Sequence, residues 1–300
     1  MSDLQADEGF CVDGLASGDE LGRSVAPAGD INGDGLGDLI VSAWRVDPDQ
    51  RSDAGAVYVL FGVSRKAVMP VDLNALDGTN GFSIKGASPA DGAGVSVGGA
   101  GDVNGDGFDD LVVGAMNEDV GGVIDAGVTY LLFGTSLPWP AAVDLSETLG
   151  STGVRILGAY SGGRCGRSVT VVGDTNNDGF DEFAVCADRA PGDDTEAGEC
   201  YVIFGHRENW PEVLQVSQLN GENGSVIAGA LAGDRFGTSV SSAGDVNGDG
   251  NVDLLIGAPF SSALGASTSG CAAVVFGQAA AWPARIRSVE LAGSSCPGSA

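Results

Sequence analysis

The chain has 300 residues, 43% of them hydrophobic, with 41 acidic against 14 basic side chains and a formal net charge of −27. That apolar content supports a folded core, while the acidic balance excludes a nucleic-acid backbone or an anionic lipid surface as partner, since both require a basic face. No apolar run of about 18 residues occurs, so no membrane-spanning helix is expected. Met1–Glu8 has neither a basic patch nor an apolar stretch and does not read as a secretory signal, which leaves a cytoplasmic protein or a mature or truncated form whose signal is missing as the two expectations.

In chain order the sequence repeats itself. Phe10–Gly14 reads as a short strand, and an acidic loop follows with Asp30, Asn32, Asp34 and Asp38. The loop runs into an apolar stretch, Leu39–Val41, and then into Phe61-Gly62. The second unit repeats this with Asp102, Asn104, Asp106, Asp110 and Phe133-Gly134. The third has Asp174, Asn176, Asp178, Glu182 and Phe204-Gly205, and the fourth Asp245, Asn247, Asp249, Asp253 and Phe276-Gly277. Such even spacing is the signature of a repeat architecture. The units span approximately 9–80, 81–152, 153–223 and 224–294 of one domain covering 1–300.

Within the second unit, Phe82–Gly86, Val95–Gly98, Asp110–Gly114 and Gly127–Phe133 read as strands, bounded by Gly, Asp or Asn. No segment sustains a helical period. Four short strands per repeat of about 72 residues predict an all-β fold, a β-propeller of four-stranded blades. Two segments are expected as loops, about 116–126 and 135–152. The second carries Trp139-Pro140, which returns as Trp210-Pro211 and Trp282-Pro283, with Met69-Pro70 in the first unit; these tryptophans are expected as packing anchors. Phe10–Gly14 aligns with Phe82–Gly86, the strand that finishes a blade. It is therefore placed to complete the last blade of a four-bladed ring, unless the four repeats belong to a larger propeller.

The loops follow D-x-N-G-D-G-x-x-D. Oxygen-bearing side chains at alternate positions, with the carbonyls of Leu36, Phe108, Phe180 and Asn251 between them, suit a hard cation, and calcium takes six to eight such ligands. Up to four structural Ca²⁺ ions are expected, each pinning the turn between a blade's first two strands. An EF-hand is excluded, because position twelve is Val41, Val113, Val185 and Ile256 rather than Glu. Gly35, Gly107, Gly179 and Gly250 hold position six, where a Cβ is expected to obstruct the turn. The third loop departs, with Asn177 at position four and Glu182 at position nine, and is expected to be the weakest site.

The six cysteines include Cys186 and Cys200 on neighbouring strands and Cys11 and Cys296 near the two ends, two candidate disulfides of an oxidising compartment. Acidic loops after the second strand of three units (Asp47, Asp49, Asp53; Glu118, Asp119, Asp125; Asp188, Asp193, Asp194, Glu196) form either a rim for a cationic ligand or a solvated surface. Trp44 and Tyr160 are unrepeated loop aromatics that suit ligand contact. The single histidine, His206, follows a repeated Phe-Gly, and no nucleophile elbow or histidine pair is present, so a non-catalytic protein is expected.

Phe236-Gly237, the four acidic loops and Gly257-Ala258-Pro259 resemble the FG-GAP repeat of integrin α-subunit propeller heads, a repeat also found in a glycosylphosphatidylinositol-specific phospholipase and in bacterial surface proteins. The resemblance covers about residues 9–292, although Leu21, Ala93 and Cys165 replace the name-giving Phe in the first three units. It implies a propeller with calcium loops on one face, placement outside the cell or on its surface, and a role in adhesion toward a protein ligand. A glycan ligand, and an accessory domain of a secreted hydrolase, are the alternatives.

Overall fold

The computed structural model describes residues 9–63, 71–207, 210–262 and 268–291, and the described part is all-β. Met69-Pro70 and Cys296 lie outside these residues. The first sheet is built of β1 (Val25–Gly29), β2 (Asp38–Ala43), β3 (Ala56–Leu60), β4 (Gly81–Lys85) and β8 (Ala142–Asp144), paired in that order. The second repeats the plan with β5 (Ser96–Gly101), β6 (Asp110–Ala115), β7 (Val128–Leu132), β9 (Gly153–Leu157) and β13 (Val213–Gln215). The third does so with β10 (Cys165–Gly173), β11 (Glu182–Ala187), β12 (Glu199–Ile203), β14 (Gly224–Ala228) and β18 (Arg285–Arg287). The fourth contains β15 (Ser239–Gly244), β16 (Asp253–Ala258) and β17 (Cys271–Val275).

Period-two alternation explains how the sheets stack. Along β11, Phe183 and Val185 enter one core cluster with Val112, Leu131 and Ile156 of the second sheet, whereas Ala184 and Cys186 enter another with Leu254 and Ile256 of the fourth. Successive side chains of a strand point to opposite faces, so a strand buried on both sides is apolar at most positions. β7 and β12 are buried throughout, with Thr129 and Glu199 as their polar exceptions and Glu199 paired with Arg285. Each fully buried Val, Leu, Ile or Phe contributes about 1.5–3 kcal/mol. The innermost strands β1, β5, β10 and β15 pack on one another in chain order, the arrangement of consecutive propeller blades.

Two expectations need correction. The segment 135–152 is not only a loop. Its residues Ala142–Val143–Asp144 form β8, which pairs in parallel with Ser83–Ile84–Lys85 of the preceding sheet, and β13 and β18 do the same one and two repeats later. The N-terminal segment also does not complete the fourth sheet. Val12 bridges Val71 in parallel, as Ile84 pairs with Val143 one repeat on. Val12, Leu21 and Val71 pack against Tyr58, Leu60, Leu73 and Leu76 on the outer face of the first sheet, and this burial holds the segment there. Among the described residues the four sheets form an open series, and the far face of the fourth leaves Leu255 and Phe276 39% and 53% exposed.

The tryptophans pack as expected. Trp139 stacks on Phe82 at 4.2 Å between ring centroids, Trp210 lies edge-on to Phe133, and Trp282 edge-on to Phe204. His206 lies three residues beyond the end of β12, stacked on Trp210 at 4.3 Å.

Candidate metal centres in the acidic loops

Each acidic loop joins the innermost strand of a sheet to the second, so it starts at a bulge and ends as a strand begins. Its side chains fold back on its own backbone. In the first loop Asp30 Oδ1 accepts from the N–H groups of Gly33 (2.8 Å) and Asp34 (3.0 Å), and Oδ2 accepts from Gly35 (2.8 Å). Asn32 Oδ1 accepts from Asp34 N–H, and Asp34 Oδ1 from Leu36 N–H. The same bonds between positions three and five, and five and seven, recur in all four loops. Asn and Asp favour such local turns because their short side chains reach the backbone two residues on. These bonds fix the side chains of positions one, three and five against the loop backbone.

Glycine at position six has a different cause from the one expected. Gly35, Gly107, Gly179 and Gly250 have φ of +84°, +93°, +91° and +91°, and a Cβ there would meet nothing within 4 Å. The left-handed backbone, not a steric obstruction, selects glycine. Asn177 adopts φ +59°, as its tolerance of that region predicts.

Position nine shows how the loop is tied to the repeated Phe-Gly pair. Asp38 Oδ2 accepts from Ile31 N–H (3.0 Å) and Oδ1 from Gly62 N–H (2.8 Å). Asp110 does the same with Val103 (3.0 Å) and Gly134 (2.8 Å), and Asp253 with Val246 (2.8 Å) and Gly277 (2.9 Å). These carboxylates clamp the loop to the end of the third strand. Burial, with smaller contributions from neighbouring loop aspartates, pushes the Asp38 carboxyl up to about 6 and that of Asp110 to about 8, even though the two N–H donors pull the other way.

The third loop is wired differently. Glu182 Oε2 accepts from both the N–H (2.6 Å) and the hydroxyl (2.8 Å) of Thr175, and Oε1 faces Asn176 Nδ2 at 3.4 Å. The extra methylene takes the carboxylate into the loop. Asp174, Asp178 and Glu182 each bring a carboxylate oxygen within 4.8 Å of the others, the one such acidic group among the described residues. The loop expected to be weakest therefore has the most convergent carboxylates. Burial and the two aspartates raise the Glu182 carboxyl to about 7. Hard carboxylate and amide oxygens with no nitrogen or sulfur donor are the set that calcium prefers.

Consecutive loops are also linked across the sheets, by residues the sequence did not single out. Asp109 Oδ2 accepts from Asp30 N–H (2.7 Å), and Asp181 Oδ2 from Asp102 N–H (3.1 Å). The Phe108 and Phe180 rings lie where a Cβ on Gly33 or Gly105 of the preceding loop would stand. The doubled aspartates, Asp109-Asp110, were the available signal; Gly37 and Val252 at the matching positions of the first and fourth units hid it.

Other candidates are placed as follows. Cys186 and Cys200 form a disulfide between directly paired residues of β11 and β12, and Cys165 is a buried thiol. Trp44 donates to Glu20 Oε2 (2.8 Å) and is flanked by Arg23 and Arg45, whereas Tyr160 lines a cavity of about 240 Å³. The rims are not merely solvated. Arg51 pairs with Asp144 at 2.8 Å and, with Lys85, holds Asp49. Arg285 pairs with Glu199 at 2.9 Å and Arg287 with Asp193 at 2.6 Å.

Comparison with known proteins agrees with this geometry. The FG-GAP repeat family matches residues 21–60, 93–132 and 236–270, in the first, second and fourth units. Phosphatidylinositol-glycan-specific phospholipase D of Bos taurus is 35% identical over 160 residues, 53% of this chain and 18% of that protein. Integrin alpha-PS2 of Drosophila melanogaster is 28% identical over 261 residues, 83% of this chain and 17% of its own length, and integrin alpha pat-2 of Caenorhabditis elegans 29% over 243 residues, 80% and 18%. The chain thus spans less than a fifth of these relatives.

Proposed function

We propose that this chain, a member of the FG-GAP repeat proteins, is a calcium-stabilised propeller module that acts outside the cell or on its surface by binding other molecules rather than by catalysis. The observation that carries the reading is the repeated loop itself, in which the side chains at positions one, three and five are fixed by backbone bonds and, in three of the four loops, position nine is clamped to the Phe-Gly turn. A cation held by Asp30, Asn32, Asp34, Asp38 and the Leu36 carbonyl, and by their counterparts in each repeat, neutralises carboxylates that otherwise repel one another. It fixes the bottom turn of each sheet, and the loops at the opposite ends are then presented on a rigid frame. The Cys186–Cys200 disulfide supports an oxidising compartment. Similarity to integrin alpha chains supports a protein ligand. No helix among the described residues is long and apolar enough to cross a membrane.

Thermal unfolding in EDTA and across a calcium titration, with magnesium as control, tests this. A ligand that binds only the folded state at one hundred times its Kd adds about 2.7 kcal/mol per site. A calcium-specific rise in Tm of several degrees is expected. Equal melting in EDTA and calcium overturns the reading.

A further inference from the structure

We propose that two copies of this chain associate head to tail. The first sheet of each packs on the fourth sheet of the other, and residues 10–14 of one copy supply the outer strand that the other copy's fourth sheet lacks. Inside the chain, each sheet turns one face to the sheet before it and the other to the sheet after it. Leu111 of β6 faces the first sheet and Val112 the third; Phe183 and Ala184 of β11 divide in the same way between the second and the fourth. This alternation continues past both ends of the series. Leu39, the counterpart of Leu111, has no sheet before it among the described residues, and Leu255, the counterpart of Val112, has none after it.

The exposed positions are those that the internal contacts bury. On the first sheet Val25 is 64% exposed, whereas Val97, one repeat on, is 5% exposed and packs between the first two sheets. Phe10 is 47% exposed, and its counterpart Phe82 is fully buried. On the fourth sheet Val246 is 56% exposed, and its counterpart Val103 is fully buried between the second and third sheets. The two faces are the two halves of one interface, carried at opposite ends of the same chain. An exposed apolar row of this kind marks an interaction surface.

The fit extends to the backbone. The first three sheets each carry an antiparallel outer strand beside the third: β4 on β3, β9 on β7 and β14 on β12. The fourth stops at β17 among the described residues. Residues 10–14 align with β4, yet they lie against the first sheet, where Val12 bridges Val71 as Ile84 pairs with Val143. They are an outer strand without its sheet. In the register of β4 on β3, Phe10 faces Val274 of the other copy and Val12 faces Ala272, and an open strand edge accepts such an added strand. Two slots also match. The Phe108 ring fills the Cβ position of Gly33 and the Phe180 ring that of Gly105, but nothing comes within 4 Å of that position at Gly248, where Leu36 of the other copy is the counterpart. Ala93, Cys165 and Phe236 close the same position at Gly55, Gly127 and Gly198, whereas Gly270 meets only Pro259 of its own sheet, and Leu21 is the matching residue. Two such contacts join two sets of four sheets into one ring, within the range of about four to eight blades that propellers use.

The contact goes beyond the interaction-module reading and stands or falls without it. Sedimentation equilibrium of the full chain in calcium buffer tests it, over a range of chain and salt concentrations. A mass of two chains that falls to one on dilution is expected. Each copy carries a net charge of −27, so added salt should raise the paired fraction by screening the repulsion between them. Val25→Asp spoils the head and Leu255→Asp the tail; both side chains are exposed in the single chain, so each variant should fold and sediment as one chain. An equimolar mixture of the two should regain pairs, because one intact head still meets one intact tail. Amide exchange at 272–275 should slow as the parent's concentration rises. A mass of one chain throughout, a mass that grows without limit, pairing that salt dissolves, or a pair that survives Val25→Asp overturns the proposal. Should a variant fail to fold, exchange on the parent decides, and exchange at 272–275 that ignores concentration overturns it.

Discussion

The second and third acidic loops have nearly the same backbone and end differently. Both position-nine carboxylates accept from the N–H at position two, Val103 or Thr175, but Asp110 gives its other oxygen to Gly134 N–H, whereas Glu182 also takes the Thr175 hydroxyl and gathers with Asp174 and Asp178. One methylene thus moves a carboxylate from the scaffold to the candidate ion site. Position nine can serve as a clamp, as a ligand, or as both, and chain length decides the balance.

The sharpest way to break this comparison is to delete the clamp. Asp110→Ala orphans two buried N–H groups at about 1–3 kcal/mol each, so a loss of about 2–6 kcal/mol is expected in chemical denaturation, in EDTA as in calcium. A loss seen only in calcium would make Asp110 a ligand and not a clamp. Next in size is the disulfide beside the third loop. The Cys186→Ala, Cys200→Ala double variant should lose about 3 kcal/mol, from a cross-link closing a short loop. If its calcium response also falls, the third loop depends on that sheet edge for its shape.

Titration separates the loops next. A carboxyl whose folded pKa is raised binds its proton more tightly in the folded chain, so its stabilising contribution is full below the unfolded value and is lost as pH rises through the folded one. For Asp38 that loss is complete near pH 6, for Glu182 near 7 and for Asp110 near 8. In EDTA, Tm should therefore fall between pH 4 and 8, and Asp110→Asn should flatten the part between 7 and 8. Calcium should reduce the fall, since it binds the ionised form. The smallest effect is the most specific. Glu182→Asp should change stability in EDTA by less than about 1 kcal/mol, the usual size of one hydrogen bond exchanged for another. Its shorter carboxylate should clamp Gly205 as Asp110 clamps Gly134, and calcium binding at that loop should weaken.

Much of this was legible in the residues. The acidic loops, the Phe-Gly pairs and the alternating strands carry strong local signals, and strands expected at Phe82–Gly86 and Asp110–Gly114 appear at Gly81–Lys85 and Asp110–Ala115. The Trp-Pro segments were read correctly as packing anchors. β8, β13 and β18 were not legible, because a three-residue strand has no periodicity and its partner lies 59 residues earlier in parallel, as for Ala142 and Ser83. The clamp at position nine was invisible for a similar reason: Gly62 is 24 residues beyond Asp38 and offers only its backbone.

The short parallel strands bear on how the array comes apart. Each linker runs back to the sheet before it, so β4 is covered by β8 from the following repeat, β9 by β13 and β14 by β18. No repeat can then melt without stripping an edge from its predecessor, and the nearest-neighbour coupling of a stacked array is reinforced by backbone pairing as well as by side-chain packing. Partial unfolding should start at the fourth sheet, whose outer strand β17 has no such cover among the described residues, and should travel toward the first as a zipper does.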